Sequence, residues 1–260
     1  MPEKTKVLLV GESWVTTATH YKGWDHFSST TFHLGAEPLV KALADSRFDL
    51  TYMPAHEAAT DFPLTLEGLQ AYQVIIISDI GANTILLHPD VWLHSKRIPN
   101  RLKLIRAYVD AGGGLLKVGG YLSFQGIHGL ARYRGTPVAD VLPVELLPYD
   151  DRIELPEGFQ PEIVGPEDHP ILAGLGRDWP PLLGVNEVTV KAGGDARLLA
   201  KLPDDEGGHP LLITGTYGRG RVAAWTSDIG PHWLPPEFAE WSGYAKLWRQ
   251  TLGWIVTTGD

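Results

Sequence analysis

The chain has 260 residues, no cysteine and a formal net charge of −9. The lack of cysteine excludes disulfide scaffolds, thiolate zinc sites and a cysteine nucleophile. The 29 glycines and 20 prolines exclude a bundle of long helices. The negative net charge argues against a nucleic-acid partner. No apolar stretch reaches the length of about 20 residues that a membrane-spanning helix needs. Because no signal-peptide pattern follows Met1, we expect a cytoplasmic protein.

The first half of the chain alternates strand and helix patterns. The strand patterns are continuously apolar, which is typical of strands buried on both faces of a parallel sheet. The alternation predicts an α/β fold with a doubly wound, mostly parallel sheet. In chain order the predicted elements are a strand at 6–10, a helix at 35–46, a strand at 48–53, a helix at 64–71, a strand at 73–77, a helix at 99–111 and a strand at 115–118.

The pattern changes near residue 138, where frequent prolines predict an added irregular β section that is mainly antiparallel. Within it we expect strands at 185–190 and 197–202, and a hairpin whose strands flank a glycine-rich turn at 215–220. An amphipathic helix at 237–256 closes the chain. Nothing resembles a linker, so we expect one domain over 1–260. Its α/β part covers about 5–135 and 205–256, and a β-rich insertion covers about 138–204.

The tetrapeptide Ser-Asp-Ile-Gly occurs twice, at 78–81 and at 227–230, and each copy follows an apolar strand. Because ligands of an open parallel sheet bind beyond the carboxyl ends of its strands, Asp79 and Asp228 are candidate site residues, with Glu12 as a third. Grouped carboxylates can transfer protons or bind a divalent cation. The alternative is that each aspartate only caps a helix or shapes a turn.

Histidines and aromatic residues form a second group of candidates. We expect a long functional loop after the first strand, in which Trp14 and Trp24 could stack on a sugar ring or pack in the core. His26 and His33 are candidate metal ligands or bases, or they tie the loop down locally. His232, four residues after Asp228, is the best-placed acid–base candidate.

The sequence Gly-Gly-Tyr-Leu-Ser at 119–123 follows a predicted strand with the small residues that a tight strand-to-helix elbow needs. Such an elbow exposes one reactive side chain above the sheet. Tyr121 occupies the tip, or Gly120 does if the turn begins one residue earlier. Ser123 lies too late in the turn for that position.

Together these segments resemble the class I glutamine-amidotransferase-like superfamily, in particular its amidotransferase-like branch close to trehalose-utilisation-type proteins. The resemblance implies a flavodoxin-like sheet over nearly the whole chain. In such amidotransferases the elbow presents a cysteine that a histidine after a late strand activates, and a glycine-rich loop supplies oxyanion donors. The segments that carry the resemblance are 7–14, 23–27, 112–121, 168–175 and 217–222.

Transferred to this chain, the resemblance puts Tyr121 at the elbow, Gly81 in the oxyanion loop, and Asp228 and His232 after the late strand. A phenol with an ordinary pKa of about 10 is a poor substitute for a thiolate, so we expect no glutaminase activity. We expect the catalytic candidates to be Tyr121, Asp228 and His232. The ligand-binding candidates are Glu12, Trp14, Trp24, His26, Asp79, Gly81 and Gly120.

Three functions remain open. The first is a small-molecule binding or regulatory domain without a nucleophile, with carbohydrate-related molecules among its candidate ligands. The second is a hydrolase or isomerase that uses Asp and His at the sheet edge, with no cofactor or with a divalent metal. The third is a subunit of a homo-oligomer that associates through the elbow and the apolar segment 231–236.

Overall fold

The computed structural model describes residues 3–256. Its strands are β1 Thr5–Gly11, β2 Ser13–Lys22, β3 Asp25–Leu34, β4 Phe48–Met53, β5 Val74–Ser78, β6 Gly114–Val118, β7 Val144–Leu146, β8 Arg152–Phe159, β9 Glu162–Ile163, β10 Leu182–Asn186, β11 Val188–Val190, β12 Arg197–Lys201, β13 Pro210–Tyr217 and β14 Gly220–Trp225. Its α-helices are α1 Glu37–Leu43, α2 Ala55–Asp61, α3 Leu66–Gln70, α4 Ala82–Leu86, α5 Pro89–Trp92, α6 Arg101–Asp110, α7 Pro137–Val141, α8 Pro236–Ala239 and α9 Tyr244–Val256.

The main sheet has eight strands in the order β4-β1-β5-β6-β14-β13-β12-β9. The first five are parallel to one another, and β13, β12 and β9 continue the sheet in antiparallel fashion. The α/β fold with a mostly parallel sheet is therefore confirmed. Strands β12 and β9 come from the segment 138–204, which thus contributes directly to the main sheet.

Helices cover both faces of this sheet because its central strands are apolar on both sides. In β1, Val7 and Leu9 pack in one core cluster with α1 and α9, whereas Leu8 and Val10 pack in the other with α2, α3, α4 and α6. Strands β1, β5 and β6 are fully buried at their centres. No helix within residues 3–256 has both the length and the apolar composition needed to cross a membrane.

Strand register brings four strand ends to one edge of the sheet. Val10 lies opposite Ile77, Ile77 opposite Lys117, and Val118 opposite Trp225. The residues that directly follow β1, β5, β6 and β14 are therefore neighbours in space. This edge carries the candidate site.

The predicted loop after β1 is wrong, because residues 13–34 form a regular antiparallel hairpin of ten cross-strand pairs. Threonine and aromatic residues favour extended backbone, and Gly23 adopts the positive φ of 68° that the turn requires. The predicted elbow helix is also wrong: after β6 the chain makes tight turns and a 3-10 turn at Ile127–Gly129, and the next α-helix is α7. The predicted C-terminal helix is interrupted between α8 and α9.

Candidate functional site

A tight turn of the backbone at the end of β1 directs the Glu12 side chain into the interior of the protein. Gly11 has a φ of 106°, and a Cβ there would lie 1.9 Å from the Ser78 carbonyl oxygen. Glu12 itself has a φ of 49°, and its side chain is 1% exposed. The Glu12 carboxyl group fits because Gly35 and Gly230 have no side chains. A Cβ at Gly35 would lie 2.6 Å from Glu12 Oε1, and a Cβ at Gly230 would lie 2.2 Å from it.

The buried Glu12 carboxyl lies beside a serine hydroxyl and two other acidic side chains. The Ser78 hydroxyl donates to Glu12 Oε2 over 2.5 Å, and the Asp228 carboxyl is a hydrogen-bond partner of the Glu12 side chain. Burial, followed by the nearby charge of Asp79, raises the pKa of Glu12 to about 8. Glu12 thus carries a proton at neutral pH.

Asp228 lies in the second Ser-Asp-Ile-Gly copy, and its side chain is fully buried. Its Oδ1 accepts the N–H groups of Ile229 at 2.7 Å and Gly230 at 3.1 Å. Its Oδ2 finds no N–H or hydroxyl donor among residues 3–256, and His232 Nδ1 is 3.9 Å away. Burial, then the charges of Glu12 and Asp79, raises the pKa of Asp228 well above its usual value. One shared proton between Glu12 and Asp228 satisfies this geometry.

Asp79 is the third acid at this edge. It has a φ of 38°, and its Oδ1 accepts the Leu122 N–H over 2.6 Å. Burial raises its pKa, and the charges of His232 and Lys117 oppose that shift. The structure therefore brings together the three acids that the sequence selected.

Lys117 is a fully buried charged residue beside these acids that the sequence analysis missed. Its ammonium group contacts the Ser123 hydroxyl, the carbonyl oxygens of Val118 at 3.3 Å and Ile77 at 3.5 Å, and the ring of Tyr133 at 4.5 Å. Burial lowers its pKa to about 7 despite nearby acids. A lysine inside an otherwise apolar strand that is buried on both faces was the available signal.

Asn186 and Asp151 hold the turn after β6, and no sequence pattern pointed to either. The Asn186 amide accepts the Gly120 N–H at 3.0 Å and donates to the Gly120 carbonyl at 3.2 Å. It also donates to Asp151 Oδ1 at 2.9 Å. Asp151 in turn accepts the N–H groups of Gln125 and Gly126, so one buried network fixes the backbone beside Tyr121.

His232 is held between two aromatic rings at the solvent side of the acids. Its ring centroid lies 4.8 Å from Tyr121, which is stacked on it, and 5.4 Å from Trp14. The backbone of His232 has a φ of 104°, which is rare for a residue with a side chain. His33 stacks on Trp14 at 5.0 Å.

Tyr121 is packed on more than one side. The Arg152 guanidinium lies 5.1 Å from its ring centroid, and Trp233 meets it edge-on at 5.7 Å. Burial, followed by the charge of Glu154, raises the pKa of the Tyr121 phenol. The phenol therefore stays protonated near neutral pH, which makes it a still weaker nucleophile.

The other candidate residues from the sequence lie outside this group of acids and rings. Trp24, at the tip of the β2–β3 hairpin, is 100% exposed, and His26 beside it contacts Tyr21. His26 and His33 are seven residues apart on β3, about 24 Å, so they cannot ligate one ion. Gly81, two residues after Asp79 in the sequence, is buried against Ala131. Within residues 3–256, no group of three or more His, Asp or Glu side chains has an arrangement suited to a metal ion.

Comparison with solved structures gives two similar proteins that match almost from end to end. The cytoplasmic proteins STM3548 from Salmonella typhimurium and STM1381 from Salmonella typhimurium LT2 are each 43% identical, with TM-scores of 0.90. The alignments cover 96% of this chain and 98% and 99% of theirs.

A ThuA-like protein from Parabacteroides merdae shares the fold at 14% identity, with a TM-score of 0.56 and coverage of 98% and 90%. A search of curated proteins found no match. The family model described as "Putative glutamine amidotransferase" matches residues 6–257. The chain therefore belongs to this glutamine-amidotransferase-like family, in a form that lacks cysteine.

Proposed function

We propose that the chain is a cytoplasmic acid–base enzyme that acts on a small hydroxylated, carbohydrate-related molecule without a covalent cysteine intermediate. The observation that carries this proposal is the position of His232, between two rings and 3.9 Å from the buried acid Asp228. An imidazole held in this way can take up or deliver a proton at the solvent boundary.

The acids behind His232 support the same chemistry. Asp228 faces Nδ1, so an imidazolium formed during the reaction gains a nearby negative charge. Glu12 gives a proton to the Asp228 carboxyl, or takes it back, as the negative charge on that carboxyl changes. The polar edge formed by Asp79, Glu154 and Arg152 suits hydroxyl groups, which both donate and accept hydrogen bonds. The cytoplasmic assignment rests on the two relatives named as cytoplasmic proteins.

We predict that the protein exchanges a carbon-bound hydrogen of an aldose or ketose in D₂O, monitored by proton NMR over a panel of neutral sugars. His232→Gln should slow exchange about 100-fold, the lower range for general acid–base catalysis. His94→Gln replaces an exposed histidine outside the site and should leave the rate unchanged. Equal rates in His232→Gln and the parent protein would contradict the proposed role.

A binding domain without turnover is the second candidate, and the missing nucleophile favours it. The same sugar panel separates the two. Saturable quenching of tryptophan fluorescence without hydrogen exchange, abolished by Trp14→Ala, supports a binding domain. The fully exposed Trp24 offers the matched control, Trp24→Ala.

Glutaminase activity is expected to be absent. Incubation with glutamine should release no ammonia above a buffer control, because the raised pKa of Tyr121 keeps the elbow phenol protonated. Ammonia release that disappears in Tyr121→Phe would show that the phenol acts as a nucleophile after all.

A further inference from the structure

A second cavity, of about 580 Å³, opens at the amino edge of the main sheet, opposite the candidate site. Its walls come from the start of β4, the start of β14 and the last turns of α9, together with Pro170. Volumes of about 300–1,000 Å³ are typical of sites that bind small molecules. The cavity is therefore large enough for a small organic ligand.

Three arginines, Arg47, Arg221 and Arg249, line this cavity, and no Asp or Glu of the described chain does. The ion pairs that arginines form with acidic side chains within residues 3–256 involve other positions, at 106, 152 and 177. Acidic residues outnumber Lys and Arg by 31 to 22 in this chain. Three arginines that share one cavity without an acidic partner thus point to an anionic ligand.

The fold holds two of these guanidinium groups in place through carbonyl groups near helix ends. Arg249 donates from Nε to the Ala42 carbonyl oxygen at 2.8 Å and from Nη2 to that of Ala44 at 2.9 Å, where α1 ends. Arg221 Nη1 donates to the Trp254 carbonyl oxygen at 2.9 Å. Because each guanidinium has five N–H groups, most of the donors remain available to a ligand. Donors that the fold has already positioned lose less conformational entropy when a ligand binds.

Arg47 lies against the backbone of α9 at a glycine. A Cβ at Gly253 would lie 2.5 Å from Arg47 Nη2. Glycine inside a helix is less favourable than alanine, so α9 is less stable with Gly253 than it would be with alanine. The missing side chain leaves room for the guanidinium, which also lies 5.1 Å from the ring centroid of Phe48. The third arginine therefore also has a place prepared for it.

Apolar side chains complete the wall of the cavity. The Arg221 guanidinium lies 5.1 Å from the ring centroid of Trp254, and Phe48 and Pro170 also line the space. Guanidinium groups bind phosphate and carboxylate oxygens in pairs, and a phosphate group offers three such oxygens in different directions. We propose that this cavity binds a small organic phosphate ester, with its phosphate among the three arginines and its organic part against Trp254.

This phosphate site is separate from the candidate catalytic site. Strand β1, Thr5–Gly11, runs from the amino edge to the carboxyl edge, where Glu12 follows it. Seven residues at about 3.3 Å each span roughly 20 Å. A ligand in the cavity therefore takes no part in proton transfer at His232, and the site is of the kind that an effector occupies.

Isothermal titration calorimetry with phenyl phosphate tests the proposal. We expect saturable binding of one molecule per chain, at least about ten-fold tighter than the binding of benzoate, which has a ring and a carboxylate but no phosphate. Benzyl alcohol, which has the ring without a charge, should not bind. No binding of phenyl phosphate, or equal affinity for phenyl phosphate and benzoate, would overturn the proposal.

Two arginine variants locate the binding. Arg47→Gln removes one guanidinium from the cavity and should weaken phenyl phosphate binding about ten-fold or more, the value of a charge-assisted hydrogen bond. Arg219→Gln removes the same charge from an exposed side chain that donates to the Ala111 carbonyl oxygen outside the cavity. This control should bind as the parent protein does. Equal affinities of the two variants would contradict a site among these arginines.

Gly253→Ala separates binding from folding. The added Cβ displaces Arg47 Nη2, so we expect the affinity for phenyl phosphate to fall. Because alanine favours the helix, the Tm should not fall. Parent affinity in a variant with an unchanged or higher Tm would contradict the place assigned to Arg47. These titrations require no turnover, so their outcome is independent of the proposed catalytic role.

Discussion

Replacing Asn186 with leucine is expected to reduce the free energy of unfolding by about 4 kcal/mol. The substitution leaves the N–H and carbonyl groups of Gly120 without their buried partner and removes one donor from Asp151. Each unpaired buried group costs about 1–3 kcal/mol, and the leucine side chain cannot offset this. Urea unfolding followed by tryptophan fluorescence measures the difference.

Asn100 provides the matched control. Its side chain caps α6 by accepting the Lys103 N–H at 3.1 Å on the protein surface. Asn100→Ala should therefore cost only about 1 kcal/mol. A loss in Asn186→Leu no larger than in the control would mean that the network does not hold the turn beside Tyr121.

Stability is expected to fall as the pH rises from 5 to 7. Burial raises the pKa of Glu12 from 4.5 to about 8, so in this window the folded chain keeps a proton that the unfolded chain has released. Raising the pH then favours the unfolded state, by on the order of 2 kcal/mol from Glu12. The raised pKa of Asp228 acts in the same direction. The lowered pKa of Lys117, about 7, acts in the opposite direction only above that pH.

Glu12→Gln isolates this contribution. The glutamine has nearly the same shape and can donate an N–H to Asp228, but it does not titrate. Urea unfolding at pH 5, 6 and 7 should show a smaller loss of stability in Glu12→Gln than in the parent protein. A parent stability that rises across this interval would contradict the pKa assigned to Glu12.

Much of the fold follows from local patterns in the sequence. Runs such as residues 73–77 identify a buried parallel strand, and the strands at 6–10, 48–53 and 115–118 are confirmed. The β2–β3 hairpin was not predicted, because its alternation lacks the contrast between apolar and polar faces that marks a half-buried strand. Both faces of this hairpin are exposed beyond its base.

The candidate site was partly predictable. Glu12, Asp79 and Asp228 follow strands whose carboxyl ends meet at one edge, a consequence of parallel pairing that a sequence can reveal. Asn186 comes from β10, outside the main sheet, and contacts Gly120 only through tertiary packing. Contacts between distant parts of a chain have no local pattern, so residues of this kind require a structure.

The most direct test of the proposed site is whether its acids hold a proton at neutral pH. Infrared spectroscopy detects the carbonyl stretch of a protonated carboxyl group. For the folded protein we predict this band at pH 7, its loss as the pH passes about 8, and its reduction at pH 7 in Glu12→Gln. A spectrum of the parent protein at pH 7 without a protonated carboxyl would contradict the shared proton between Glu12 and Asp228, and with it the acid–base role proposed for this edge of the sheet.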